Sequence, residues 1–338
     1  MDIKAKIAEI NDLVSPVIDD LLAQDVEDYT KEVALYQCRV GGKRIRPALV
    51  VLTGQAFGAN TDDLLRPAAA IEILHNSTLI IDDIIDHSDF RRNELTCWKK
   101  YGKSIAECSS FMYLSSVYSG LSHSNKESAL IDLYSNTLKI IIDGEIKDIL
   151  FERSGREDED FITMHRYKNI GKDEYFKMIY QKTAVLLSAC CKAGAIIAGA
   201  DNYGIEKASD FGMNIGMAFQ VRDDILDIFG DEKEFGKKIG KDIIEKKMGN
   251  YVVLSALDRL DQSDCDRVRE VLESNREVTD EDVLLVTDLI NKTDAMQVAE
   301  DTSNSFIQKA FDALSELPQN ENTSYLGNIA NYIVNRKN

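Results

Sequence analysis

An all-α fold is predicted for this chain of 338 residues, and two observations together predict it. Its four prolines are Pro16, Pro47, Pro67 and Pro318, so residues 68–317 contain none. Proline removes a backbone donor and clashes with the preceding helical turn, so its absence leaves long helices uninterrupted. Apolar residues recur at the helical period through most of that stretch. A composition of 44% hydrophobic and 29% charged residues is ordinary for a globular protein, and the length is enough to bury a large core. One domain over residues 1–338 is expected, a single large helical bundle.

The net charge of −18 argues against a nucleic-acid partner, because phosphate backbones select basic surfaces. The six cysteines (Cys38, Cys97, Cys108, Cys190, Cys191, Cys265) form no CxxC and no regular framework, which fits reduced thiols in the cytoplasm. The opening Met1-Asp2-Ile3-Lys4 has no apolar signal core, and no run approaches the ~20 apolar residues that span a bilayer. A cytoplasmic protein without stable membrane insertion is expected.

In chain order, residues 1–35 read as amphipathic helix, with Ile7, Ile10, Leu13, Val14, Val17, Ile18, Leu21 and Leu22 on one side. Gly41-Gly42-Lys43-Arg44-Ile45-Arg46-Pro47 follows. Two glycines free the backbone and three cations come next, so Lys43 and Arg46 at a helix start can converge on one anion. A basic surface turn is the plainer alternative. The stretch around Leu79-Ile80-Ile81-Asp82-Asp83-Ile84-Ile85-Asp86 reads as a helix over residues 67–90. It puts Asp82 and Asp86 one turn apart, with His75 and Thr78 on the same stripe. Carboxylates among isoleucines need cations, or they neutralise; a solvated acidic edge is the plainer alternative. Arg91-Arg92 stands just beyond, and arginine is suited to anion binding because it is planar, always charged and bidentate.

Residues 103–150 read as two helices around Ser122–Lys126, and residues 152–160 as a polar, solvated connection. Tyr180-Gln181-Lys182-Thr183-Ala184 opens an apolar run to Ala200, where Lys182 could simply snorkel at the surface. Asp223-Asp224-Ile225-Leu226-Asp227 repeats the acidic pattern in a helix over about residues 211–229. That helix aligns Gly216, Gln220, Asp223 and Asp227 along one stripe. A lysine-rich loop runs from Lys233 to Lys247, and residues 251–338 read as further helices. Two acidic walls suit a hard cation. Mg²⁺ takes one or two carboxylates plus substrate phosphates, whereas the spacing lacks the EF-hand glycine for Ca²⁺ and the His/Cys pairs for zinc.

Gly41–Pro47, His75, Asp82–Asp86 with Arg91-Arg92, Trp98-Lys99-Lys100-Tyr101-Gly102, Lys182-Thr183 and Phe219-Gln220 with Asp223–Asp227 resemble the trans-isoprenyl diphosphate synthases, or polyprenyl synthetases. The likeness spans nearly the whole chain in order and is nearest to the geranylgeranyl-type branch. It implies the isoprenoid-synthase bundle with a central cavity, a homodimer, and Mg²⁺ as cofactor, three ions being expected. The implied reaction joins isopentenyl diphosphate head-to-tail to an allylic diphosphate. By this resemblance Asp82, Asp83, Asp86, Asp223, Asp224 and Asp227 serve the metals. Lys43, Arg46, His75 and Arg92 hold isopentenyl diphosphate; Arg91, Lys182, Thr183, Gln220, Lys237 and Lys247 serve the allylic diphosphate and its ionisation. Ser77, Thr78 and Phe111 are the candidates for limiting chain length, and the small pair before Asp82 points to a product of C20 or longer unless Phe111 or Met112 blocks the channel from the neighbouring helix. Ser110-Phe111 and Gly144-Glu145 depart from the family's usual Gly-Asp and Gly-Gln, and Gly249 and Val252 from its threonine and proline. Phe111 is expected either to line the cavity or to pack in the core. Two other readings compete: a terpene cyclase, and a non-catalytic subunit of a prenyl synthase.

Overall fold

The computed structural model describes residues 2–153, 156–230 and 240–334, and nearly all of its regular structure is helical. In order come α1 (Ile3–Ala23), α2 (Asp28–Arg39), α3 (Ile45–Ala56) and α4 (Thr61–Ile85). A two-residue hairpin follows, β1 (Phe90–Arg91) pairing antiparallel with β2 (Glu94–Leu95). Then come α5 (Cys97–Tyr101), α6 (Lys103–Leu121), α7 (Glu127–Phe151), α8 (Asp160–His165) and α9 (Lys172–Ile179). A π-helical turn (Tyr180–Ala184) joins α9 to α10 (Val185–Ile197), which precedes α11 (Asn202–Phe229). The chain closes with α12 (Lys241–Ile244), α13 (Tyr251–Leu257), α14 (Gln262–Leu272), α15 (Asp280–Asn291), α16 (Ala295–Ser315) and α17 (Glu321–Val334).

Packing divides the chain into two compact units, each assembled from segments distant in sequence. The first comprises residues 1–138, 187–212 and 313–329, and α4 is its axis. Ala68, Ala69, Ala70, Ile71, Ile73, Leu74 and Ile80 are all buried, so this helix is surrounded rather than one-sided. α1, α3 and α6 pack on it. Close approach is secured by Gly120 of α6, where a Cβ would fall 2.9 Å from that of Ala70. α1 buries Ile7, Ile10, Val14, Ile18, Leu21 and Leu22, while Leu13, expected on the same side, is exposed.

The second unit comprises residues 139–186, 213–312 and 330–338. Its core gathers Phe151, Tyr175, Met178, Val221, Ile225, Tyr251, Val253, Leu272 and Leu289. α11 begins nine residues earlier than the 211 expected, at Asn202, after Asp201 caps Gly204 N with its side chain at 2.8 Å. Among the described residues no helix is long and apolar enough to cross a membrane.

Candidate active site

In the first unit the chain enters α3 through Gly41 and Gly42, at φ +101° and +136°, and Arg44, at φ +45°. Arg44 turns back into the fold, donating to Ser15 Oγ at 2.5 Å and to Cys38 O at 2.7 Å. Arg46, in the first turn of α3, has its Nε buried without a hydrogen-bond partner among the described residues. Lys43 is exposed beside this entry.

α4 carries Glu72, His75, Ser77, Thr78, Asp82 and Asp83, and Asp86 is its C-cap. The helix ends at Ile85 rather than running to 90, yet Asp86 N still donates to Asp82 O at 2.8 Å, so the one-turn spacing survives. Beyond it the hairpin turn places both Arg92 and Asn93 in the left-handed region, at φ +55° and +66°, the pattern of a type I′ turn. Successive residues of a strand and its turn point apart, and the two arginines separate accordingly. Arg91 Nε donates to both oxygens of Asp83, at 2.8 and 2.9 Å, and Nη2 reaches Asp82 Oδ2 at 3.0 Å. The Arg92 guanidinium lies over Gly42, where a Cβ would come within 2.6 Å of it.

The electrostatics of this region are dominated by cations. Burial, then Arg46, Arg92 and Arg91, push the His75 imidazole well below its usual value, so it is neutral. Burial also lowers Arg46 and Arg92, and the carboxylate of Glu72 opposes that in both. Glu72 is buried, with Oε2 unpartnered among the described residues and Oε1 accepting from Asn76 Nδ2 at 3.2 Å. Sequence reasoning missed Glu72; its signal is an acid inside an otherwise apolar helical run, one turn before His75. Asp83 is raised to about 6, chiefly by burial, with Arg91 holding it down.

Ser77 is buried, its Oγ donates to Leu74 O at 2.7 Å, and its carbonyl accepts from Ser110 Oγ at 3.2 Å. Thr78, half-buried, donates to His75 O at 2.8 Å. Ser110 rather than Phe111 therefore meets Ser77. Phe111 is 73% exposed, which corrects the expectation that it could pack in the core. It shares an exposed face of α6 with Ile105, Cys108 and Tyr118.

In the second unit the π turn holds the candidate residues Lys182 and Thr183. Such single wide turns insert an extra residue into a helix and recur at functional sites. Lys182 Nζ lies 2.8 Å from Glu145 Oε2 and 2.7 Å from Asp148 Oδ2, both on α7. Gly144 permits this: a Cβ there would fall 2.5 Å from Lys182 N. Lys247 stands 3.8 Å from Asp148 and 3.1 Å from Glu245. Burial opposes ionisation of Asp148, but Lys182 and Lys247 outweigh it and hold the carboxyl at about 2.

Thr183 Oγ1 donates to Gln220 Oε1 at 3.0 Å, and Gln220 Nε2 donates to Asp224 Oδ1 at 3.3 Å. Asp224 is buried and also accepts from the Tyr175 hydroxyl and from Tyr251 N, each at 2.7 Å. Burial and the nearby Asp242 push its carboxyl well above the usual range. Asp227 accepts from Asp242 N at 3.1 Å and is raised to about 8 by burial and by Asp242. Asp223 is half-buried on the same helix. Asp148, Tyr175 and Tyr251 escaped sequence reasoning because each sits in an ordinary helical context, and Asp242 because it falls in the stretch read as a lysine-rich loop; all four acquire meaning only through packing. Lys237 lies outside the described residues.

Two departures acquire physical reasons here. A Cβ on Gly249 would come 2.8 Å from the Phe151 ring, so threonine does not fit. Val252 N donates to Asn250 Oδ1 at 2.9 Å, a bond that proline lacks the proton to make. Among the described residues no three His, Cys, Asp or Glu side chains group tightly enough to hold an ion by themselves.

A polyprenyl synthetase family model matches residues 27–290. The chain belongs to that family. It is 31% identical to the short chain isoprenyl diphosphate synthase of Methanothermobacter thermautotrophicus, over 96% of each chain. It is 32% identical to heptaprenyl diphosphate synthase component 2 of Bacillus subtilis, over 99% of this chain and 92% of the other. Its fold matches the crystal structure of geranylgeranyl pyrophosphate synthetase from Pyrococcus horikoshii with a TM-score of 0.88 and 29% identity, covering 99% and 98%. The polyprenyl synthetase fold is all-α, as expected from sequence, and the chain is a trans-prenyltransferase.

Proposed function

We propose that this enzyme condenses isopentenyl diphosphate with an allylic diphosphate to give an all-trans polyprenyl diphosphate of C20 or longer, using Mg²⁺. One observation carries the reading: half-buried Arg46 of α3 and exposed Arg92 of the hairpin turn act on a neutral His75, whose helix also carries Asp82 and is capped by Asp86. Such a pairing suits a diphosphate held by cations beside a second diphosphate held through metal. The donors Asp82, Asp86 and Asp223 are all carboxylate oxygens, the ligand type Mg²⁺ takes. Asp83, Asp224 and Asp227 support them, and each is fixed by hydrogen bonds. Bound Mg²⁺, three ions in our reading, would neutralise the allylic diphosphate as its C–O bond breaks.

The remaining roles belong to side chains. Arg91 spans Asp82 and Asp83, keeping their geometry while leaving charge to share with the leaving diphosphate. Lys182, Lys237 and Lys247 bind that diphosphate. Thr183, oriented by its hydrogen bond to Gln220, would stabilise the positive charge that develops at the allylic carbon. Lys43, Arg46, His75 and Arg92 place isopentenyl diphosphate so that its double bond attacks the allylic carbon. A new C–C bond forms, and the proton lost passes to the departing diphosphate. Ser77 and Thr78, with Phe111 as a further candidate, set how far the growing chain extends.

Radiolabelled isopentenyl diphosphate supplied with Mg²⁺ and C5, C10 or C15 primers tests the reading. Incorporation into extractable C20 or longer diphosphate is expected; C15 as sole product overturns the length, and no incorporation overturns the reaction. Family membership sets the cyclase reading aside. The likeness to a protein named as one component of a synthase favours a second reading, a chain active only with a partner. In that case activity returns when a second chain is added. A cytoplasmic homodimer is the assembly we propose.

A further inference from the structure

Glu145 stands where the resembling family usually carries glutamine, and its carboxylate lies 2.8 Å from the ammonium group of Lys182. Asp148 holds the same ammonium group at 2.7 Å. The arrangement is rigid at its base, because Gly144 packs directly on the backbone of Lys182 and Gln181. Gln181 and its neighbours lock the same turn from the side: Gln181 Nε2 donates to Asp143 Oδ2, and Lys147 Nζ donates to Gln181 Oε1 at 2.6 Å. Glu145 and Lys182 are mostly buried, with side chains 17% and 26% exposed, so water screens their attraction only in part. An ammonium group has three donors, and two are directed at carboxylates here. A neutral amide at position 145 would take away one carboxylate from Lys182, while Asp148 stays within reach of both Lys182 and Lys247.

We propose that Glu145 is a built-in competitor for Lys182, a positioning residue that weakens the hold on the allylic and released diphosphates and so sets their exchange. The inference rests on the proposed role of Lys182 as a diphosphate ligand. A diphosphate entering the site must draw Lys182 from Glu145, and the departing one is helped off as the pair re-forms. Glu145 is thus a brake on affinity and an aid to release. Glutamine, which has no charge to offer, would do neither.

The test measures binding of inorganic diphosphate with Mg²⁺ to the full chain by titration calorimetry, for wild type, Glu145→Gln and Glu145→Asp. Glu145→Gln should bind about tenfold tighter, a difference near 1.4 kcal/mol. Its KM for the allylic substrate should fall while kcat does not rise. Glu145→Asp, which keeps the charge on a shorter arm, should lie between. In a Lys182→Met background the Glu145→Gln change should alter affinity by less than about twofold, because the two effects act through one contact. Unchanged diphosphate affinity in Glu145→Gln overturns the inference, as does a tightening that persists without Lys182. A wild type that incorporates isopentenyl diphosphate while Glu145→Gln binds diphosphate normally sinks this inference alone. A wild type that binds diphosphate but transfers no prenyl group sinks the prenyl-transfer reading, and the binding comparison still decides the part played by Glu145. Failure of both chains to bind diphosphate overturns both.

Discussion

Asp83 has 1% of its side chain exposed and a guanidinium on both its oxygens, whereas Asp82, next to it, meets the same guanidinium through one. The first aspartate is therefore structural support for the second. Arg91→Met leaves Asp83 buried and unpaired, which costs about 3–5 kcal/mol. Thermal unfolding should show that loss, and incorporation of isopentenyl diphosphate should fall with it. Asp148 gives a prediction with a pH signature. Its carboxyl is held at about 2 from an ordinary 3.8, so its stabilisation is complete above pH 4 and is lost as pH falls toward 2. Asp148→Asn should flatten the acid limb of a stability–pH profile measured by urea unfolding between pH 5 and pH 2. The role of Asp148 could not be read beforehand, since nothing in Ile146-Lys147-Asp148 distinguishes it from a solvated acid until Lys182 is packed against it.

At the scale of elements, α7 and the π turn make one unit of recognition. Gly144→Ala would drive a Cβ to within 2.5 Å of Lys182 N, where only backbone can yield. About 1–3 kcal/mol of stability should be lost, with a raised KM for the allylic substrate because Lys182 moves. α4 offers a separate test. Ser77 is buried and small, and Ser77→Phe should shorten the product, read by chromatography of the dephosphorylated alcohols. The helices themselves were legible: apolar periodicity announced α4, and the same period in a proline-free stretch announced α6, α7 and α11, while aspartates one turn apart marked two of the four. The hairpin at Arg91-Arg92 was not, because Arg-Asn lacks the glycine that usually signals a I′ turn. The π turn was also hidden, since one extra residue in a wide turn does not disturb the apolar period enough to be noticed.

At the scale of the whole molecule, reading and structure agree on the helical class; one domain over residues 1–338 is the sequence expectation, and packing gathers the chain into two compact units. Nothing in composition could show that, because each unit draws on segments separated by more than a hundred residues. The exposed face of α6, with Ile105, Phe111 and Tyr118, bears on assembly, since apolar side chains spaced along one helix face are what an interface covers. A homodimer should sediment near twice 37.9 kDa. Cys108 lies on that face, whereas burial pushes the Cys38 and Cys191 thiols up to about 12 and Cys97 to about 11. Iodoacetamide should therefore label Cys108 first, and more slowly as protein concentration rises if α6 is the covered face. Labelling independent of concentration would place the contact elsewhere.

The wide turn at Tyr180–Ala184 has a consequence for how this gene can vary. Deleting any one residue there would relax the segment to an ordinary helix and rotate everything on one side by about 100°. Lys182 would swing off the carboxylates and Thr183 off Gln220 together, while the flanking helices kept their length and composition. A codon lost anywhere in these five positions should therefore abolish function, even where the residue removed is neither Lys182 nor Thr183.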